Sequence, residues 1–184
     1  MLIHPWYALQ VRTGNESRVK YALEGKGREV YLPTYVDCRQ YTDRIKKVAA
    51  PLFPGYLFCR LDVEDRQPVL TTPWVMSIVG FGGIAFCVDE SELSAIRTVT
   101  TSGLLAKPWP YLREGDKVRV EFGALAGAEG LLVRTRGEDR LVLSVDLLQR
   151  SISVEIDRSW VKPIQMSTAT LPANQKYMSV AAGH

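Results

Sequence analysis

The sequence predicts an α+β fold in two parts: an N-terminal α/β sandwich whose antiparallel sheet is flanked by helices, then a small SH3-like β-barrel. Three observations carry this. Over residues 1–100, strand-like alternation is interleaved with helical apolar stripes. Lys107-Pro-Trp-Pro110 interrupts all periodicity. Beyond it only period-two alternation remains, in short runs punctuated by glycine. The boundaries follow as 1–100 for the first domain, 101–110 for a linker, 111–164 for the barrel and 165–184 for a flexible tail.

Trp6 to Arg12 reads as a strand with Tyr7, Leu9 and Val11 on one face, and Thr13-Gly14-Asn15 ends it. Asn15 is a suitable helix cap, Glu16 suits the first turn, and Val19, Ala22 and Leu23 form an i, i+3, i+4 stripe. Gly25 and Gly27 close that helix. Glu29 to Val36 is strand-like, with Pro33 restricting it to an edge or a bend. The basic run Arg39 to Lys47 reads as an exposed loop or hairpin tip. Leu52 to Leu61 is a second strand entered through Pro54-Gly55, and Gln67 to Thr71 a short helix with Pro68 in its first turn. Val75 to Phe81 and Ile84 to Val88 read as strands. Asp89 with Glu92 has the spacing of a capping box before Leu93, Ile96 and Val99, the buried side of a closing helix. In the last part Val118, Val120 and Phe122 share one face, Leu141, Leu143, Val145 and Leu147 a second, and Ile152, Val154 and Ile156 a third. Closing such short strands into a barrel removes sticky edges.

Composition narrows the function. The 184 residues include 23 Lys and Arg against 20 Asp and Glu, a net charge of +3 spread almost evenly along the chain. That is too little for a protein that coats duplex DNA. His4 and His184 are the two histidines, both at chain ends, so Ser-His or Cys-His catalysis and His-based metal sites lack their central residue. No paired-acid motif stands out, and Gly80-Phe-Gly-Gly83 lacks the Lys-Ser/Thr ending of a phosphate loop. A protein that is not an enzyme, with no catalytic residues, metal or cofactor, is expected. Cys38, Cys59 and Cys87 are widely spaced and odd in number, as in a reducing compartment. No apolar run is long enough to span a membrane and no signal-peptide pattern opens the chain, so a cytoplasmic location is expected.

Particular residues then point further. Trp6-Tyr7, Arg12-Thr-Gly-Asn-Glu16, Tyr31-Leu-Pro-Thr34, Leu52-Phe-Pro-Gly-Tyr-Leu-Phe58 and Thr72-Pro-Trp-Val75 followed by Ile78-Val-Gly80 closely resemble the N-terminal domain of the NusG family. Gly115-Asp-Lys-Val-Arg-Val120, Gly130 and the strands from Leu141 to Val161 resemble that family's KOW domain. The resemblance runs in order over residues 5–164 and implies a transcription elongation and antitermination factor. On that reading RNA polymerase is bound through the clamp helices of its largest subunit by Phe53, Tyr56 and Phe58, with Trp6, Tyr7 and Trp74 lining or supporting the patch. Arg12, Asn15 and Arg18 would contact the non-template DNA strand in the transcription bubble, and Arg44, Lys46 and Lys47 would add general attraction to DNA. Gly82-Gly83 resembles a loop tip near the polymerase cleft.

The KOW domain would recruit partners, with termination factor Rho or a small-subunit ribosomal protein as candidates. Here the turn is Leu147-Leu-Gln-Arg150, and Leu148 stands where the housekeeping proteins carry a ring, which weakens the support for both. Lys107-Pro-Trp-Pro-Tyr111 is more like the specialised antiterminators that serve single operons. A housekeeping elongation factor and a ribosome- or RNA-binding KOW module stay open as alternatives.

Overall fold

A computed structural model describes residues 4–40, 45–109, 111, 115–135 and 137–164. The chain runs β1 (Trp6–Val11), α1 (Glu16–Glu24), β2 (Val30–Tyr31), β3 (Thr34–Gln40), β4 (Ile45–Pro51), β5 (Tyr56–Arg60), the single turn α2 (Gln67–Leu70), β6 (Val75–Ile78), β7 (Gly80–Phe81), β8 (Ile84–Ala85) and α3 (Glu90–Thr101). There follow β9 (Ala106–Trp109), β10 (Asp116–Val120), β11 (Glu129–Thr135), β12 (Glu138–Val145), β13 (Arg150–Glu155) and β14 (Val161–Pro163). The fold is mixed α+β.

The first sheet has the order β2-β5-β1-β6, with β1 antiparallel to both β5 and β6. The period of two along β1 feeds two separate cores. Tyr7, Leu9 and Val11 point to one face, where they meet Leu57 and Cys59 of β5 and Val19 and Leu23 of α1. Trp6 and Ala8 point to the other, with Phe58, Phe53 and the α3 residues Leu93, Ile96 and Val99. One helix therefore flanks each face.

Under α3 the rings form a chain of contacts. Phe53 meets Phe58 edge-on at 5.9 Å between centroids, and Phe58 stacks on Tyr31 at 6.2 Å. The Arg97 guanidinium lies 4.9 Å from the Tyr31 centroid and 4.8 Å from that of Trp6, and Arg60 approaches Trp6 at 5.0 Å. Glu29 pairs with Arg60 at 3.2 Å, so the charges at the edge of this cluster are matched. The Tyr31 hydroxyl and Thr100 Oγ1, 3.1 Å apart, tie β2 to the end of α3.

Several sequence expectations are corrected. Pro33 divides the strand from Glu29 to Val36 into β2 and β3, consistent with its missing N–H. The stretch Leu52 to Leu61 is not one strand: Leu52 to Gly55 is a turn, and Gly55 takes the left-handed φ of +83° that β5 needs to begin at Tyr56. The hairpin expected at the basic run is present: β3 and β4 pair antiparallel from Thr34↔Pro51 to Gln40↔Ile45. Arg44 lies outside the described residues. Asp89 does cap α3, but its carboxylate accepts from the Ser91 N–H, and Glu92 reaches elsewhere.

Residues 106–109, expected in a linker, form β9 on the edge of β13. The second sheet is thus six-stranded, β14-β10-β11-β12-β13-β9, around Val118, Val120, Leu141, Leu143, Val145, Ile152 and Val154. Phe122 lies beyond the end of β10 and is exposed. At Gly130 an added Cβ would sit 2.6 Å from the Val142 carbonyl oxygen, so only glycine lets β11 lie this close to β12. The outer face of β12 and β13 is buried too, at Val142, Ser151 and Ser153, and α3 lies against β12. The expected tail, 165–184, lies outside the described residues. Among the described residues no helix is long and apolar enough to cross a membrane.

Phe53 is fully enclosed, so Phe53→Ala is expected to lower unfolding free energy by about 3–5 kcal/mol, read by urea denaturation. A loss below about 1 kcal/mol would show that the ring is not part of the core.

Candidate functional site

The structure separates the sequence-predicted residues into two groups. Trp6, Tyr7, Phe53 and Phe58 are core residues, each no more than 7% exposed, and present no ring to a partner. The physical reason is strand alternation: Trp6 and Phe58 fall on the face α3 covers, Tyr7 on the face α1 covers. Leu148 is likewise buried, so it offers no apolar tip. Tyr56 is half-buried and Trp74 exposed.

Trp74 belongs with the arginines rather than with the buried rings. It follows Pro73 in the tight turn before β6 and has a φ of +68°, a left-handed conformation rare for a bulky residue. Its carbonyl accepts the Arg12 N–H at 2.9 Å, fixing the end of β1 to this turn. The Arg18 guanidinium lies 5.6 Å from the Trp74 ring centroid and donates to Asn15 Oδ1 at 3.1 Å. Asn15 therefore does not use its side chain to cap α1; it holds Arg18 one helical turn away. Arg12, Arg18, Asn15 and Trp74 so share one solvent-facing surface.

Glu16 builds that surface from below, a role its sequence position did not signal. It is 3% exposed, and its two carboxylate oxygens accept from the Gly14 N–H at 2.8 Å and the Gly55 N–H at 2.9 Å. One carboxylate thus clasps the loop between β1 and α1 to the Pro54-Gly55 turn before Tyr56. An added Cβ at Gly55 would come 3.2 Å from Thr13 Oγ1, which shows how closely the two loops meet. Beside them Met76 of β6 is 64% exposed, and nothing in the alternation of that strand marked it.

Two titrating groups of the first sheet are held neutral. Burial raises the Tyr7 pKa, with Cys87 and Asp62 adding to it, and burial pushes the Cys59 thiol up to about 11. Because the folded value of Cys59 exceeds its unfolded one, its contribution to stability is complete below about pH 8.5 and fades as pH rises toward 11.

The sequence comparisons with known proteins converge on one family. The family profile described as transcription termination factor nusG matches residues 4–97, from β1 into α3. The transcription termination/antitermination protein NusG of Thermus thermophilus is 31% identical over 180 residues, covering 85% of this chain and 96% of the relative. That of Lactococcus lactis is 28% identical over 178 residues, covering 87% and 93%. A solved structure of Thermotoga maritima NusG aligns at 21% identity and a TM-score of 0.49, over 88% of this chain and 97% of that one. The α+β chain is of the class whose relatives are named as transcription termination and antitermination proteins. It belongs to the NusG family.

Two outcomes test the local account. Glu16→Gln sets an amide N–H against a backbone N–H and is expected to cost about 1–3 kcal/mol in urea denaturation. Peptide mapping after thiol labelling at pH 8 is expected to find Cys87 modified and Cys59 untouched; rapid labelling of Cys59 would contradict its burial.

Proposed function

We propose that this protein is an operon-specific transcription elongation and antitermination factor that binds RNA polymerase with its first sheet and recruits helpers with its second. The observation that carries the proposal is the exposed grouping of Arg12, Asn15, Arg18 and Trp74. Arginines beside an aromatic face suit an unpaired strand: guanidinium groups meet phosphates while the ring stacks on a base, and neither demands a particular sequence. The displaced non-template strand of a transcription bubble offers that substrate beside the polymerase.

With Trp6, Tyr7, Phe53 and Phe58 enclosed, the polymerase-facing surface is assigned to Tyr56, which packs against the cluster of Trp6, Phe53 and Phe58, and to the exposed Met76. Phe81 and Ile84, exposed on either side of Gly82-Gly83 in the β7–β8 hairpin, extend it. A specialised role is favoured by the turn carrying Leu148: with its side chain buried, that turn presents no ring of the kind by which a housekeeping factor would hold Rho or the ribosome.

Replacing Trp74 with Ala is expected to weaken single-strand binding by about 1–3 kcal/mol, and replacing Arg12 and Arg18 to abolish pause suppression while capture of core polymerase survives. Loss of capture together with pause suppression would refute the DNA role. Polymerase-associated occupancy confined to one or a few operons is expected, and uniform occupancy across transcribed genes would place the protein among housekeeping factors.

A further inference from the structure

We infer that Arg150, from the second sheet, completes a phosphodiester-binding groove with Arg12 of the first, so that one single strand of DNA is held by an arginine from each sheet. This rests on the reading of the Arg12 surface above and adds a contact from the other half of the molecule.

An open groove of about 480 Å³ lies between Gln10, Arg12, Thr13, Tyr56, Met76 and Arg150. Two arginines line it and no acidic residue does. Among the described residues neither Arg12 nor Arg150 forms an ion pair. The acid closest in sequence to Arg12, Glu16, is buried and engaged by the Gly14 and Gly55 amides, and Asp146, four residues before Arg150, accepts from the Tyr111 hydroxyl at 3.1 Å. Both cations are thus open to an anion from solution, and like charges facing one groove favour an anion between them. Tyr56 and Met76 complete the lining. Two cations along one open groove suit the repeated charge of a phosphodiester strand.

The position of Arg150 is set by construction. It begins β13 directly after Gln149, whose φ of +52° turns the chain sharply. The Gln149 amide donates to the Asp146 carbonyl at 2.7 Å, and the Asp146 N–H donates to Glu92 of α3 at 3.4 Å. The turn is therefore anchored to a helix of the first half.

The test uses the full chain and a fluorescein-labelled dT12 strand, with anisotropy titrations at several salt concentrations. Arg150→Ala is expected to weaken binding several-fold and to reduce the slope of log K against log salt by about 0.7, the value for one phosphate contact on a single strand. Arg150→Lys is expected to restore most of the slope. If Arg150→Ala leaves affinity and slope unchanged while Arg12→Ala lowers both, the inference falls and the Arg12 reading stands. If neither variant changes binding, or the strand does not bind, both fall.

Discussion

Helix α3 is the constraint on which the molecule depends. Its Leu93, Ile96 and Val99 close the ring cluster of the first sheet, and the same helix lies against β12 of the second. Hydrophobic residues of both sheets consequently belong to one continuous core, from Trp6 and Phe58 to Leu143 and Val154. Arg97 and Thr100 hold the helix from the ring side, and Glu92 holds the turn after β12. Because interiors are close-packed, moving α3 would disturb both sheets together.

The surface features inherit that order. Arg12 and Arg18 come from a strand end and the helix that follows it, Trp74 from a turn much later in the chain, and three short connections hold the region together: the Arg12 N–H to the Trp74 carbonyl, Arg18 to Asn15, and Glu16 to two glycine amides. The Glu16 connection is the most consequential. A carboxylate removed from water is tolerated because both oxygens meet fixed donors, and the same bonds occupy the oxygens that a direct ion pair would use. No acidic residue lines the groove itself.

Much of the architecture was legible in the residues. Alternation at Tyr7, Leu9 and Val11 gave the face under α1, and the stripe of Leu93, Ile96 and Val99 gave the buried side of α3. The period-two runs of β10, β12 and β13 were likewise legible, whereas no alternating run marked β11. The burial of Phe53 and Phe58 was not readable, because a ring beside a Pro-Gly turn fits an interface and a core equally well, and the choice depends on where α3 comes to rest. β9 was hidden by Pro108, which an edge position accepts. Glu16 was hidden for another reason: a first-turn acid is ordinarily a solvated partner of the helix dipole, and only the approach of a distant glycine makes it a clasp.

The left-handed backbone at Trp74 sets stability against recognition. Glycine there would relax a conformation that costs a bulky residue about 1–2 kcal/mol, but it would also strip the face on which Arg18 rests. A laboratory selection that rewarded heat resistance alone would thus drift toward the smaller residue and yield a sturdier protein with a blank surface. Breeding a hardier version of this chain requires selecting for grip at the same time.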